Sequence, residues 1–424
     1  MISRISNNIY LYIASDVLSQ ASYRLFQVFC TWYYIQFYNQ EEYLANIMFF
    51  IWLANVLFLP ISGVILERYR KTFVLTSACL VTFICLVALL IFYQNDNYSD
   101  KAYVVFLAAS VLLSAASSFI MPLGVSLIPE ISSDETETTR GIRIKSSTFI
   151  VNLFLGPMLG GFLIGYWGGG SILIAALLFA FFSVVTSFML WINTELKSVN
   201  IIQKNFLLGL VEGVMRTIKI KEERIIAIIS SSSNLFLVPF IFLLLPSKVI
   251  GENNTMVEVS IIEICIGIGM FLSPTVFIPY LEKVFGKHIS ICIGQFLIAI
   301  SIFLFSLTND LYVQYLLGFT LGVGLNLFNA IINACRAISI PNGYRGAMES
   351  SFLLMCIASV PLGFWIAKIY LSMVSVDYII ASSLIIYIPS LLVITISNDI
   401  KSIVGSNNDN GPYYKNKYRK LFAE

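Results

Sequence analysis

Apolar stretches long enough to cross a membrane recur along the chain, separated by short polar breaks, with Trp and Tyr near many of their ends. They cover 9–37, 43–66, 72–93, 102–127, 146–167 and 170–192, then 224–245, 259–281, 289–307, 311–335, 346–371 and 377–397. A bilayer core about 30 Å thick takes roughly 20 apolar residues per helical crossing, so each stretch is read as one transmembrane helix. The pattern predicts an all-α membrane protein of twelve helices in two six-helix bundles, 1–192 and 224–397. The connection 193–223, holding Lys197, Lys204, Arg216, Lys219, Lys221, Glu222 and Glu223, is the predicted cytoplasmic loop between them. Residues 398–424, with Asn407, Asn408, Asn410, Gly411 and Pro412 before KNKYRK, are expected to form a loosely ordered cytoplasmic tail drawn to anionic lipid.

Composition agrees: 58% of the 424 residues are hydrophobic, against 26 Lys and Arg and 24 Asp and Glu. A soluble protein is excluded on that balance. The seven Cys lie scattered in apolar runs and read as small hydrophobes, not as a disulfide framework. A net charge of +2 gives no bias toward nucleic acid, and a single His288 leaves no His-rich metal site. No GxxxxGK[ST] loop is present, so the chain is read as neither an enzyme nor a nucleotide hydrolase, needs no cofactor or metal, and draws its energy from a gradient. Lys101, Lys248 and Lys368 fall at or beside predicted outer span ends and Arg24 near the middle of a span; the other cations sit toward the inner side, so both termini are expected in the cytoplasm. The N-terminus offers no removable signal peptide.

The second half echoes the first. Gly63-Val-Ile-Leu-Glu67-Arg68-Tyr69-Arg70-Lys71 follows span two, and Pro279-Tyr-Leu-Glu282-Lys283-Val-Phe-Gly286-Lys287 follows span eight. Arg140-Gly141 stands before span five and Arg345-Gly346 before span eleven, each followed at similar spacing by a proline, Pro157 or Pro361. Internal repeats of this kind mark transporter folds. With these motifs the sequence resembles the major facilitator superfamily over nearly its whole length. The signature loop after helix two is matched by Gly63 to Lys71, with Glu67 in place of Asp and the second Gly absent. Gly156-Pro157-Met158-Leu159-Gly160-Gly161 resembles the motif of antiporter-type exporters, and Pro129-Glu130 and Ile340-Pro341 resemble the branch of macrolide-efflux proteins and siderophore exporters. The resemblance implies that Gly63, Glu67, Arg68, Arg70 and Lys71 form a conformational latch. It also implies that Gly156, Pro157, Gly160 and Gly161 help close the cavity.

Span one carries Asp16, Gln20 and Arg24 at i, i+4, i+8, on one helical stripe. Ionisable groups within a bilayer face the bundle interior or a watery cavity. At 1.5 Å per residue Asp16 lies about 12 Å from Arg24, too far to pair, so the two are expected to find different partners. A proton-coupled carrier needs a carboxylate that alternates between the two sides, and Asp16, then Glu263, are the expected carriers. Glu258 and Glu349 are lesser candidates near span ends. Gln20, Arg24, Asn152, Asn234, Asn326, Asn329 and Asn333 are the expected substrate contacts, with helix-to-helix hydrogen bonding the alternative for the amides. Trp32, Tyr33 and Tyr34 read as interface anchors, with stacking of an apolar ligand the alternative. The resulting expectation is a monomeric cell-membrane transporter that exports a small amphipathic compound, such as an antibiotic, siderophore or peptide-like molecule, in exchange for protons by alternating access. The rivals are a nutrient or lysolipid importer or facilitator of the same fold, and a non-transporting membrane binding or immunity protein.

Overall fold

The computed structural model describes residues 7–38, 40–94, 100–132, 135–194, 206–341, 344–405 and 412–422; they form helices, with no strand among them. Nine helices among the described residues are long and apolar enough to cross a membrane by length and composition. One of these, 256–307, reverses at Gly286, whose φ of 79° suits a residue without a side chain, and so holds two of the predicted spans. Of the two remaining predicted spans, 9–37 carries Asp16 and Arg24, which lower its hydropathy, and 146–167 includes side chains outside the described residues. Contacts divide the chain into two compact units: 1–205 with 255–260, and 206–254 with 261–424.

The first unit contains α1 (Asn7–Thr31), α2 (Glu41–Arg68), α3 (Lys71–Gln94), α4 (Asp100–Ile120), α5 (Leu123–Ile131), α6 (Glu135–Trp167) and α7 (Gly169–Asn193). α1 pairs with α7 antiparallel through small polar side chains: Ser183 Oγ donates to Ser15 O at 2.9 Å and Ser22 Oγ to Ala176 O at 2.8 Å. α2 and α4 run parallel, with Ser114 Oγ on Ile51 O at 2.6 Å and Ser118 Oγ on Asn55 Oδ1 at 2.8 Å. Hydroxyls that bond a neighbouring backbone can join membrane helices where burial of apolar surface gives no advantage over lipid. After α1 the chain widens into a π-helical turn, Trp32–Phe37. Trp32, Tyr33 and Tyr34 are buried, with Tyr33 stacked on Phe29, Phe37 and Phe106 at centroid distances of 5.5, 6.2 and 5.2 Å. This corrects their reading as interface anchors: each ring has aromatic neighbours enough to be covered from every side.

The second unit contains α8 (Phe206–Lys219), α9 (Lys221–Pro239), α10 (Leu245–Gly251), α11 (Met256–Leu272, whose residues 256–260 belong to the first unit), α12 (Ile278–Leu307), α13 (Leu311–Ser339), α14 (Arg345–Ile357), α15 (Val360–Leu371), α16 (Val376–Ala381), α17 (Leu384–Ile396), α18 (Asn398–Val404) and α19 (Tyr413–Lys417). The connection between the predicted bundles thus includes a helix, α8, whose Gly213 lets it rest on Ala347 and Ser351 of α14. Backbones approach where side chains are absent. A Cβ on Gly322 of α13 would stand 1.9 Å from Ile266 O of α11, and one on Gly363 of α15 1.9 Å from Leu235 O of α9. Lys248, read as an outer-loop cation, is instead buried, bonded to Asp377 Oδ1 at 2.6 Å and Asn309 Oδ1 at 3.2 Å and paired with Glu252 at 3.0 Å. Three partners within reach let its ammonium leave water.

The tail also departs from expectation. Residues 398–404 form α18, capped by Ser397 Oγ on the Ile400 amide at 3.4 Å, and Tyr414 of α19 is fully buried. Polar composition suggested a solvated chain, but the tyrosines interleaved with its lysines supply both apolar area and hydroxyl donors.

Candidate functional site

Asp16, Gln20, Arg24 and Gln27 share a face of α1 because successive members stand three or four residues apart. Asp16 is fully buried; Lys145 Nζ of α6 pairs with its Oδ2, and Gln20 Nε2 donates to Oδ1 at 3.2 Å. The lysine reaches this acid because Gly124 of α5 leaves room for its stem. A Cβ at Gly124 would meet Lys145 Cε at 2.8 Å and Tyr12 Oη at 3.0 Å. The Tyr12 hydroxyl, one turn before Asp16, is buried with no hydrogen-bond partner among the described residues. Sequence placed Lys145 in the basic loop before span five, and the structure corrects that. α6 starts at Glu135 rather than 146, so Lys145 lies in its third turn, facing α1.

Arg24 sits two turns beyond Asp16 and donates from Nη1 to Gln27 Oε1 at 3.3 Å. Its stem crosses Gly156, where a Cβ would lie 2.0 Å from Arg24 Cγ. One turn on, Gly160 receives Val28, with Cγ1 at 2.6 Å from the same construction, and Gly161 faces Ser260 Cβ at 2.5 Å. Residues 16, 24 and 28 of α1 thus meet 145, 156 and 160 of α6 in rising order, so the two helices run parallel and the glycine motif is their seam. Pro157 is buried within that seam and removes one helical hydrogen bond.

In the 63–71 segment, α2 ends at Arg68 and α3 begins at Lys71. Lys71 Nζ pairs with Glu130 of α5 and donates to Ser126 O at 2.9 Å, and Arg70 Nη2 donates to Thr194 O at 2.9 Å. The carboxylate facing Lys71 is therefore that of Pro129-Glu130, joining two motifs that the sequence keeps apart. Gly63 is half-buried in the last turns of α2. The side chains of Glu67, Arg68 and Asn152 lie outside the described residues.

In α11 Glu263 is buried at 7% exposure, while Glu258 accepts the Thr255 amide at 2.8 Å and so caps the start of that helix. Asn234 Nδ2 donates to Cys356 O at 3.1 Å and Asn326 Nδ2 to Met270 O at 2.6 Å, both helix-to-helix bonds. Asn329 and Asn333 are exposed on α13, and Asn333 Oδ1 accepts from Arg336 at 3.4 Å. Arg336, read as a loop cation, is fully buried in the last turns of α13, where it meets Glu223 at 2.9 Å and Glu349 at 3.3 Å. Lys145, Glu223 and Arg336 escaped notice as site residues because each lies at a span end, where a charge is ordinarily solvated. Nothing in their spacing marks the partner a different helix brings. Among the described residues no group of His, Cys, Asp and Glu could hold a metal ion.

A sequence model of the Major Facilitator Superfamily matches residues 14–363. No curated protein matches in sequence. Among solved structures, the POT family transporter PepTSo is similar with a TM-score of 0.71 at 12% identity, over 95% of this chain and 99% of that one. A nucleoside transporter, NupG, gives 0.65 at 13% identity over 91% and 99%. A bacterial homologue of the iron transporter ferroportin, in an inward-facing state, gives 0.69 at 14% identity over 95% and 100%. At such identities the likeness is one of fold.

Proposed function

The chain belongs to the major facilitator superfamily, and on that premise we propose that it is a proton-coupled exporter of a small amphipathic compound, with Asp16 as its proton carrier. The observation that carries this reading is the buried pair of Asp16 with Lys145, steadied by Gln20 in α1. A charged acid and base withdrawn from water hold each other by attraction, and removing either charge leaves the other uncompensated. A proton on Asp16 cancels that attraction and frees Lys145 and the α1–α6 seam to rearrange. A proton leaving restores it. An antiporter needs this exclusive choice between proton and a second state.

Alternating access by two halves around a central site supplies the rest of the cycle. Arg24, over Gly156 on the same stripe, is the proposed counter-charge for an anionic part of the ligand, and Glu263 a second titratable group. The Lys71–Glu130 contact is the proposed latch of the first unit. Export, a cell-membrane location with both termini cytoplasmic, and the likeness to the macrolide-efflux and siderophore branch belong to the same proposal, supported by the motif Gly156 to Gly161 and by the distribution of cations.

The test is retention of labelled antibiotics, dyes, siderophores and short peptides in cells with and without the protein, before and after a protonophore. Lower retention that the protonophore reverses is expected. Higher retention would turn the reading to uptake, and no difference for any compound would favour a binding protein.

A further inference from the structure

Two adjacent carboxylates at the start of α9, Glu222 and Glu223, are both fully buried, and the tail is what covers them. Glu222 Oε1 accepts from Tyr413 Oη at 3.0 Å and Lys417 Nζ at 2.5 Å, and its Oε2 accepts from Tyr418 Oη at 2.7 Å. Glu223 Oε1 accepts from Tyr414 Oη at 2.9 Å. On its other side Arg336 of α13 donates to both Glu223 oxygens at 2.9–3.0 Å and to Glu349 of α14 at 3.3 Å, with its guanidinium over the Phe352 ring. Phe422 packs on Tyr344, just before α14, at a centroid distance of 5.2 Å. One short segment therefore spans the ends of three helices that a single arginine already joins.

The kind of contact matters. Burying ions is costly unless further hydrogen bonds satisfy them, and the tail brings four donors to these two carboxylates. Yet Lys415, Lys417, Arg419 and Lys420 remain exposed, and the tail buries fully only the rings of Tyr414 and Phe422. A short terminal segment held by four polar contacts and two buried rings belongs to the low-stability end of a structure, able to open while the rest stays folded.

We infer that residues 412–422 are a conformational latch: docked, they hold the ends of α9, α13 and α14 together, and undocked they free those ends to move. That such release serves a transport cycle rests on the function proposed above, whereas the latch itself does not.

Hydrogen exchange on the full chain in lipid nanodiscs tests this, comparing wild type with Glu222→Ala and with a chain ending at residue 411. In Glu222→Ala the amides of 413–418 are expected to exchange about tenfold faster. In the shortened chain the first turn of α9 and the last turn of α13 are expected to exchange several-fold faster, while protection in the middle of α9, α12 and α13 is kept. Unchanged exchange at those ends would overturn the latch, and so would loss of protection throughout the unit, which would make the tail part of its core. If exchange rises only at the ends and no compound in the retention panel is transported, the transport reading fails and the latch stands.

Discussion

At the scale of single residues, the pairing of Asp16 with Lys145 makes opposite demands on stability and on flux. Lys145→Ala removes the charge that faces a buried carboxylate, and loss of one partner of a buried pair costs about 3–5 kcal/mol, so its thermal midpoint should fall well below wild type. Asp16→Asn with Lys145→Met removes both charges at similar volume and should recover most of that loss. If the double variant is as unstable as Lys145→Ala, the pair is not what holds α1 to α6. Gly156 faces a different constraint. A methyl there meets Arg24 Cγ at 2.0 Å and Cβ at 2.9 Å, near the root of the side chain, where little give is available. Overpacking of this kind costs about 1–3 kcal/mol, and Gly156→Ala should show it in a thermal unfolding scan while Gly168→Ala, which meets nothing within 4 Å but has φ 76°, reports backbone strain alone.

Among elements, the tail has a pH signature. Burial, with the hydrogen bond to Glu222 second, pushes the Tyr418 hydroxyl up to about 12, and the same carboxylate raises Lys417 above its ordinary value. Both groups are raised on docking, so their contribution is complete below the ordinary tyrosine value of about 10 and is lost as pH climbs past it toward the docked values. A spin label at Lys415→Cys should report an immobile tail between about pH 7 and 9 and a mobile one only beyond about pH 11. Mobility already at pH 8 would contradict the contacts described. The close crossing of α11 and α13 makes a second demand: Gly322→Ala puts a methyl 1.9 Å from a carbonyl oxygen, Ile266 O, that cannot turn away. Size-exclusion and thermal scans should show far less folded protein than for Gly251→Ala, which meets nothing within 4 Å.

Much at this scale was legible in the sequence. Recurring apolar runs gave the helices because a bilayer leaves the backbone few other ways to bond, and the segment Pro279 to Lys287 after span eight contains the Gly286 at which the chain reverses. What escaped was any charge whose partner comes from far along the chain. Lys145 looks like a loop cation until α6 is seen to begin ten positions earlier, and Arg336 looks solvated until Glu223, 113 residues away, is beside it. The tail was misread for the same reason, since Tyr413, Tyr414 and Tyr418 acquire meaning only against Glu222 and Glu223. Asp16, Gln20 and Arg24 were found because three polar groups on one stripe of an apolar helix need no knowledge of the fold to be noticed.

For the whole molecule, family membership and an all-helical membrane fold set a transporter's frame, and the central claim is that a proton on Asp16 alternates with its bond to Lys145 to drive export. Flux of whichever compound responds in the retention panel, measured in everted membrane vesicles with an imposed pH gradient, addresses that claim most directly. Wild type should move it into the vesicles only while the gradient lasts, and Asp16→Asn should lose about tenfold or more of that gradient-driven flux while keeping exchange of compound for compound at equal pH. Gradient-driven flux at the wild-type rate in Asp16→Asn would contradict the account.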